Sequence, residues 1–284
     1  MTDVLRDMHD EEQRHLVRLR ANRAYRLDEE AYALAENAVA RLRKESASLL
    51  DVLVPPDTVG REPKDVASFL TSLGKHLHGL GVAFSASSLL TEEERGEYGE
   101  HVAYPQNRHT EEAYRLLTRR MKRPGVTYCT DFAASCAEVR DGLADLCILP
   151  LRDGEGAYLR TFLHLLEEYG LSVRAYAFCE DEERGGTHYA LCGRGVCIPV
   201  REKMLCMEIL LPARRENDAA ALTALVSAIG GGLIAGEILP DPHTAGTLAR
   251  LAYRIDEKNA ETLLLALRLF ASDALVYGVS AYRE

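Results

Sequence analysis

The first residues with the chemistry to bind a substrate are arginines in the opening segment. Arg6 and Arg23 lie in a stretch that also contains Arg18 and Arg20. A guanidinium group binds a carboxylate through two parallel hydrogen bonds, so two such groups can hold a dianion in one orientation. The chain has a formal net charge of -10, so any anionic substrate needs a local cluster of this kind. The alternative is that these arginines form a solvated helix face.

Other residues that could do chemistry give weaker signals. The seven cysteines contain no CxxC pair, which favours reduced and mostly buried thiols. His76 and His78 alternate, but two histidines are too few to define a metal site. No Gly-x-Ser-x-Gly motif or catalytic triad stands out, and the triple glycine at 230–232 follows a helix instead of opening one. We therefore expect no metal and no cofactor.

The composition is that of a globular protein with two or three modest domains. Of the 284 residues, 47% are hydrophobic and 27% are charged. The negative net charge argues against nucleic acid or an anionic membrane as the main partner. The acidic N-terminus lacks the apolar core of a signal peptide, and no apolar run is long enough to span a bilayer. These features predict a cytoplasmic protein.

Hydrophobic periodicity divides the chain into three segments, at 1–98, 99–200 and 201–284. The first segment is predicted to be helical, because no proline or glycine occurs from Asp3 to about Leu50 and apolar residues recur at steps of three and four. A stripe of this length needs partner helices or a second subunit to cover it. A further helix is predicted after Pro63, running to about Leu77.

The second segment alternates strands with helices, which predicts an α/β layer structure with right-handed crossovers. Strands are predicted at 101–105, 126–130, 143–151, 171–178 and 188–192, and helices at 110–121, 132–140 and 157–169. Thr110 is the predicted N-cap of the first of these helices. The nearly continuous apolar run at 143–151 is typical of a central parallel strand that is buried on both faces.

The third segment predicts the element order β-α-β-β-α-β, which is the ferredoxin-like split. Its strands are predicted at 204–211, 233–239, 248–255 and 275–282, with helices that begin at Asp218 and Glu257. This order alone says little about function, because the fold serves many.

Several motifs of the second segment together resemble the bifunctional chorismate mutase–prephenate dehydratases of phenylalanine biosynthesis. They are Val102-Ala-Tyr-Pro, Thr110-Glu-Glu-Ala, the run from Val139 to Leu151 that contains Ala-Asp-Leu-Cys-Ile-Leu-Pro, and Thr187-His-Tyr-Ala-Leu-Cys-Gly-Arg. The resemblance implies an α+β multidomain fold. It would comprise a helical chorismate-mutase-like domain, a truncated α/β prephenate-dehydratase-like domain and a ferredoxin-like ACT regulatory domain.

The dehydratase part also departs from the family pattern. The family enzyme binds prephenate between two lobes, and here too few residues precede Thr187 to form the second lobe. Arg152-Asp153-Gly154 stands where the family has Glu-Asn-Ser, and His188 replaces the arginine of Thr-Arg-Phe. Thr187 stays a candidate catalytic residue. Expelling a carboxylate and water from a dianion needs a dry cleft, so we predict that dehydratase activity is lost.

The opening helix resembles a chorismate mutase at Leu5-Arg6 and from Leu16 to Arg23. The resemblance implies that Arg6 and Arg23 hold the two carboxylates of chorismate, and that Glu45 stands for the glutamate of the family's Asp-Arg-Glu. The rearrangement needs positioning and no nucleophile. The lysine that the family carries further along this helix is missing. Candidates for the missing polar groups are Lys75, His76 and His78.

The third segment resembles the ACT domain of the dehydratases. Ala220-Ala221-Leu222 stands where the family has Gly-Ala-Leu, and Glu237-Ile-Leu-Pro stands where it has Glu-Ser-Arg-Pro. The resemblance implies that Ala220, Ala221, Leu222 and Glu237 form a phenylalanine site. The methyl group of Ala220 and the loss of Ser-Arg oppose such binding. The alternative is a pairing domain that only assembles a dimer.

The predicted function is that of a homodimeric chorismate mutase/prephenate dehydratase-like protein of phenylalanine biosynthesis. Its small-molecule partners would be chorismate or prephenate as substrate and phenylalanine as effector. The alternative is a non-catalytic regulatory or assembly protein that binds an aromatic amino acid or a partner enzyme.

Overall fold

The computed structural model describes residues 2–44, 49–53, 61–82, 84–90, 96, 99–180, 185–199, 202–212, 218–240 and 247–282. At 2–12, 50–51, 87–88 and 239–240 it describes the backbone only. Among the described residues, none of the helices combines the length and the apolar character that crossing a membrane requires.

The first segment is helical, as predicted. Helix α1 spans Thr2–Lys44, which corresponds to a length of about 65 Å. It is followed by the short helix α2 (Leu49–Val52), helix α3 (Pro63–Gly79) and a 3-10 turn at Ala86–Leu89. Helix α3 begins with a proline at its first position, where the missing N–H has no intrahelical partner in any case. It packs along the C-terminal half of α1 and leaves residues 13–26 of α1 exposed.

The second segment forms an α/β unit. Its elements are β1 (His101–Pro105), α4 (Arg108–Leu117), β2 (Gly125–Cys129), α5 (Phe132–Arg140), β3 (Leu146–Asp153), α6 (Arg160–Glu168), β4 (Leu171–Cys179) and β5 (Thr187–Arg194). Strand β3 is central and buried, as predicted, and it runs parallel to β1. The predicted parallel pairing holds on one side of β3 only, because β5 pairs with β3 in the antiparallel sense. The cause is that β4 and β5 form an antiparallel pair, which reverses the chain direction next to β3.

The N-cap of α4 differs from the prediction. Asn107 caps the helix, and its side-chain oxygen accepts hydrogen bonds from the N–H groups of His109 and Thr110 at 3.1 and 3.0 Å. Thr110 is the third residue of the helix, and its hydroxyl accepts from the Asn107 N–H at 3.1 Å. The two residues therefore form a reciprocal capping box.

The third segment has the predicted β-α-β-β-α-β order. Its elements are β6 (Met204–Pro212), α7 (Asp218–Ala228), β7 (Gly232–Pro240), β8 (Thr247–Asp256), α8 (Glu257–Phe270) and β9 (Leu275–Ala281). The four strands form an antiparallel sheet in the order β9-β6-β8-β7. This ferredoxin-like unit leaves β7 at the sheet edge.

The two units share one nine-stranded sheet, in the order β2-β1-β3-β5-β4-β9-β6-β8-β7. The connection is a parallel pairing of β4 with β9, in which Val173 lies opposite Gly278. A Cβ atom at Gly278 would lie 3.0 Å from the Val173 Cβ, so the missing side chain permits the close approach of the strands. The sequence pattern did not predict this pairing, because it joins distant parts of the chain.

Strands β6, β8 and β9 of the ferredoxin-like sheet are mostly buried on both faces. One face packs with α7, α8, α3 and the C-terminal half of α1 in a single apolar core. On the other face, Leu210 and Tyr277 share a core with Leu166 of α6 and Val139 of α5. The α/β unit therefore covers the face of this sheet that α7 and α8 do not cover.

Candidate functional site

The carboxyl ends of β1, β2 and β3 meet at one edge of the sheet, because these strands are parallel. Strand β5 begins at the same edge, since it runs antiparallel to β3. Ligands of open α/β sheets bind outside the carboxyl ends of the strands. This edge, which carries Asp153 and Thr187, is therefore the candidate catalytic edge of the α/β unit.

Thr187 lies opposite Asp153 of β3 and Cys179 of β4, and His188 lies opposite Arg152. Burial and then the positive charge of Arg152 lower the pKa of His188, so the imidazole is neutral near pH 7. The Asp153 carboxylate accepts hydrogen bonds from the backbone N–H groups of two residues in the following turn, at 3.0 and 2.9 Å. The edge thus offers the Thr187 hydroxyl and the neutral His188 imidazole. The Asp153 carboxylate is hydrogen-bonded within the turn that follows it.

The connection between β4 and β5 comprises residues 180–186, of which 181–184 lie outside the described part. Seven residues are too few to contain a further lobe. Strands β4 and β5 are adjacent and antiparallel.

Arg152 points away from this edge into a buried charged cluster. Its Nη2 donates to Glu208 Oε1 of β6 at 2.9 Å, and Arg250 Nη2 of β8 donates to Glu208 Oε2 at 2.5 Å. Tyr176 of β4 donates its hydroxyl to Glu208 Oε1 at 2.5 Å. The side chain of Glu208 is 1% exposed and that of Arg250 is 0% exposed. This group, which we call the junction cluster, joins the α/β unit to the ferredoxin-like unit.

Aromatic rings surround the two guanidinium groups of the junction cluster. The Arg250 guanidinium carbon lies 4.6 Å from the ring centres of both Tyr158 and Tyr277. Tyr158 also accepts a hydrogen bond from Arg152 Nη2 at 2.6 Å. Burial raises the pKa of Tyr158 to about 12. The cations are therefore held by one carboxylate and by ring faces, which attract them through the ring quadrupole.

Glu208 stays ionised in this environment. Burial opposes its ionisation, but the charges of Arg250 and Arg152 and the Tyr176 hydroxyl outweigh burial and lower its pKa. Arg152 stands where the resembled family has the glutamate of Glu-Asn-Ser. In this chain Arg152 forms an ion pair with Glu208 of the other unit, so its side chain is not directed at a substrate.

A groove of about 490 Å³ lies between α7 and β7 at the edge of the ferredoxin-like sheet. Its walls are apolar, apart from the Glu237 carboxylate and two hydroxyls. Ala220 and Glu237 both line it, so two of the four predicted effector residues come together. The lining residues include Ala219, Ala220, Thr223, Ala224, Ser227, Leu233, Gly236, Glu237 and Ile238. The Arg160 Nε of α6 lies 3.5 Å from Glu237 Oε1.

The other two predicted effector residues lie elsewhere. Ala221 and Leu222 line a second groove of about 380 Å³ with Phe270 of α8. They are separated from Ala220 because successive residues of a helix point about 100° apart. Within a single chain, the four predicted effector residues therefore line two different grooves.

The predicted mutase residues are only partly within the described residues. The Arg6 side chain and Glu45 lie outside them. Arg23 is 51% exposed, and it forms an ion pair with Asp65 and a longer one, of 3.8 Å, with Glu62. Both partners belong to the start of α3. In a single chain, Arg23 is therefore held by acidic side chains of the neighbouring helix and faces solvent.

The polar candidates on α3 lie about three turns or more beyond Arg23's partners. Lys75 and His78 line a small cavity of about 160 Å³ beside α8. His76 contacts Asp28 of α1 at 3.0 Å. Between α1 and α3 the space is filled by apolar side chains, which are Ala31, Ala35, Ala38, Phe69, Leu70 and Leu73. Among the described residues, no group of three His, Cys, Asp or Glu side chains is arranged to hold a metal ion.

The junction cluster is not predicted above, although the sequence contains a signal for it. Glu208 interrupts the otherwise apolar strand Met204–Pro212 at its centre, and Arg250 lies between apolar residues in Thr247–Asp256. A charge in the middle of a buried strand requires an opposite charge nearby. The pattern indicated buried charges, but it did not identify Arg152 as a partner from another unit.

Comparisons with known proteins identify the fold. No family description matches the sequence, and no curated protein matches it. A prephenate dehydratase from Streptococcus mutans has a similar structure, with 15% identity and a TM-score of 0.50, over 64% of this chain and 99% of that chain. The chain therefore contains a prephenate-dehydratase-like fold, and an identity this low shows the fold alone.

Two further solved structures are similar at a lower level. GqqA, described as a novel type of quorum quenching acylase, has 19% identity and a TM-score of 0.48, over 65% of this chain and 96% of that chain. A prephenate dehydratase from Arthrobacter aurescens in complex with L-Phe has 12% identity and a TM-score of 0.48, over 64% and 90%. At this level of similarity neither protein carries weight for the function of this chain.

Proposed function

We propose that this chain is a prephenate-dehydratase-like protein of phenylalanine biosynthesis that binds an aromatic amino acid in the α7–β7 groove and does not dehydrate prephenate. The fold supports the first part. The proposal that it binds an aromatic amino acid rests on the groove, which combines an apolar wall with a single carboxylate.

The groove suits each part of an aromatic α-amino acid. Glu237 supplies a negative charge for the ammonium group. Ala219 and Ala220 lie in the first turn of α7, where backbone N–H groups lack intrahelical partners and attract a carboxylate. Leu233 and Ile238 provide apolar surface for a ring. On ligand binding, the ammonium group would replace Arg160 as the neighbour of Glu237.

Thermal unfolding of the purified protein with phenylalanine, tyrosine or prephenate tests this site. A ligand that binds only the folded state raises the unfolding temperature. We expect an increase with an aromatic amino acid, and its loss in Ala220→Met, which fills the groove, and in Glu237→Gln, which removes the charge. Ala221→Met is the matched control, because Ala221 is an exposed neighbour on the same helix that lines the other groove. An equal shift in all of these variants would exclude the groove.

The proposed loss of dehydratase activity is supported by two features. Arg152 is engaged with Glu208, and residues 180–186 are too short to provide a second wall for a cleft. We expect no phenylpyruvate when the purified protein is incubated with prephenate. If phenylpyruvate forms, and forms at a lower rate in Thr187→Ala, the edge is catalytic after all.

The second candidate is chorismate mutase activity of the helical segment. The exposed basic face of α1 favours it, because chorismate is a dianion. In this case Arg23 would leave Asp65 and bind a substrate carboxylate, together with Arg6 and Glu45. Chorismate consumption, followed by absorbance, measures this activity directly. Arg23→Ala is expected to abolish it; turnover that is unchanged in this variant would remove Arg23 from the mechanism.

A further inference from the structure

The cavity of about 160 Å³ between α3 and α8 lies where the helical segment meets the ferredoxin-like unit. Among the residues that the structure describes, none from α1 lines it, so Lys75 and His78 belong here to a place that is separate from Arg23. Its lining consists of Leu70, Thr71, Gly74, Lys75, His78, Phe84, Glu261, Thr262 and Leu265.

Gly74 lies in the interior of α3, where glycine is less favourable than alanine. A Cβ atom at this position would meet only Phe84 Cζ, at 3.8 Å, which is an ordinary van der Waals contact. Neither close packing nor the helical backbone therefore requires a glycine at this point of the helix. The missing side chain instead keeps the cavity open, and a helical glycine without a packing reason points to a function.

Two opposite charges line the cavity from its two walls. Lys75 belongs to α3 and Glu261 belongs to α8. Within the described part of the chain, no ion pair joins Lys75 to Glu261. The hydrogen-bonded neighbour of Asp28 on α1 is His76, at 3.0 Å, so that acid does not require Lys75. Opposite charges that face one cavity without meeting suit a ligand that carries both charges.

The rest of the lining sets the size of the ligand. Leu70 and Leu265, each 1% exposed, form an apolar floor. The His78 imidazole stacks on the Phe84 ring, with 4.4 Å between the ring centres and 10° between the planes. A cavity of about 150 Å³ holds a benzene ring, so this one accommodates about six non-hydrogen atoms.

We propose that this cavity binds a small zwitterion, of the class of α-amino acids with short side chains, with its carboxylate on Lys75 and its ammonium group on Glu261. Alanine has the size that the cavity accommodates. The ligand would contact the helical segment and the ferredoxin-like unit at once, so its binding would stabilise their contact.

Other small ligands fit this cavity less well. A simple anion is attracted by Lys75 but repelled by Glu261, and a simple cation meets the reverse. Phenylalanine has about twice as many non-hydrogen atoms as alanine, which exceeds the available volume. The inference is therefore independent of the proposed function, which concerns an aromatic ligand in the larger α7–β7 groove.

Equilibrium dialysis of the full-length protein against radiolabelled alanine tests the site. We expect saturable binding, weakened by at least about tenfold in Lys75→Gln and in Glu261→Gln, because each variant loses a charge-assisted hydrogen bond. Propionate lacks the ammonium group and ethylamine lacks the carboxylate. Neither should displace the label at a concentration at which unlabelled alanine displaces it.

Gly74→Ala separates ligand binding from stability. It should raise the unfolding temperature of the ligand-free protein by about 2–4 °C, because alanine is the better helix residue. It should at the same time weaken alanine binding, because the methyl group takes up part of the cavity. Gly74→Leu fills more of the cavity and should abolish binding, with circular dichroism as the check on its helix content.

The matched controls change charge on α8 away from the cavity. Glu257→Gln and Lys258→Gln alter exposed residues of its first turn, and both should bind alanine as the unmodified protein does. Ala220→Met, which fills the α7–β7 groove, should also keep alanine binding. The site between α3 and α8 and the proposed aromatic site can therefore fail separately.

The proposal is overturned if the unmodified protein retains no more alanine than Gly74→Leu and Gly74→Ala do, because the cavity is then a hydrated packing gap only. It is equally overturned if Lys75→Gln and Glu261→Gln bind alanine as tightly as the unmodified protein. Displacement of the label by propionate or ethylamine as effective as that by alanine would mean that the site recognises a single charge, which also contradicts a zwitterion site.

Discussion

At the scale of single residues, the junction cluster concentrates most of the buried charge. Glu208 accepts hydrogen bonds from Arg152, Tyr176 and Arg250. A buried ion pair contributes little net stability compared with apolar residues of similar volume, but removing one partner leaves an uncompensated charge. The cluster therefore affects stability mainly because removing one of its members destabilises the folded protein.

Replacing Arg250 alone should destabilise the protein strongly. Arg250→Met removes the guanidinium group at Glu208 Oε2, and we expect a loss of about 3–5 kcal/mol in the free energy of unfolding, measured with denaturant. Replacing the three charged residues together, as Arg152→Leu, Glu208→Leu and Arg250→Met, should recover most of this loss. A change below about 0.5 kcal/mol for Arg250→Met would contradict the described cluster, since that is the range of ordinary surface substitutions.

The stability of the protein should also depend on pH through two carboxyl groups, whose ionisation has opposite effects on the folded state. The pKa of Glu208 is lowered in the folded state, so its contribution is present above its unfolded pKa, near 4.3, and is lost as the pH falls below it. Burial raises the pKa of Glu167, so protonation of Glu167 favours the folded state. Below pH 5, the stability of the Glu208→Gln variant should therefore fall less steeply with decreasing pH than that of the unmodified protein.

Thermal unfolding between pH 3 and pH 7 measures this difference. Glu167→Gln is the control of opposite sign: relative to the unmodified protein, it should be more stable near pH 7, and the difference should shrink on acidification. Parallel curves for the unmodified protein and Glu208→Gln would contradict the lowered pKa of Glu208.

At the scale of elements, the contact between β4 and β9 depends on Gly278. A methyl group there would lie 3.0 Å from the Val173 Cβ and 3.1 Å from its carbonyl oxygen, so the strands would have to separate. We expect Gly278→Ala to destabilise the protein by about 1–3 kcal/mol, as overpacking does. Denaturant unfolding measures this loss.

Gly79→Ala is the matched control for this element. Gly79 ends α3, and a Cβ atom there would meet no heavy atom within 4 Å. Because alanine also restricts the unfolded chain, this variant should be neutral or more stable by up to about 1 kcal/mol. If both glycine variants behave alike, close packing of β9 on β4 is not the cause of the effect.

At the scale of the whole molecule, the α/β unit and the ferredoxin-like unit share a sheet, an apolar core and the junction cluster. We therefore expect them to unfold in one cooperative transition. Calorimetry should find equal calorimetric and van't Hoff enthalpies for this transition. Two separate transitions, one for each unit, would mean that the shared sheet does not couple them.

Most of the element boundaries could be predicted from the sequence to within a few residues, because they depend on local signals. Hydrophobic periods of two and 3.6 distinguish strands from helices, and the bounds of α5 were predicted without error. The N-cap at Asn107 was missed because Thr110, three residues later, is an equally good capping residue by type. Of the predicted effector residues, Ala220 and Glu237 line one groove while Ala221 and Leu222 line another, a division that depends on the tertiary packing of α7.

By itself, the sequence determined the type and approximate position of most helices and strands, and the β-α-β-β-α-β order of the third segment. These depend on the chain's immediate neighbours, whose spacing is set by backbone geometry. Only the tertiary structure decided that β4 pairs with β9, that Arg152 belongs to a buried cluster with Glu208 and Arg250, and that Arg23 faces acids of α3. Each of these joins residues far apart in the chain, and a local pattern holds no information about which distant group will satisfy a buried charge.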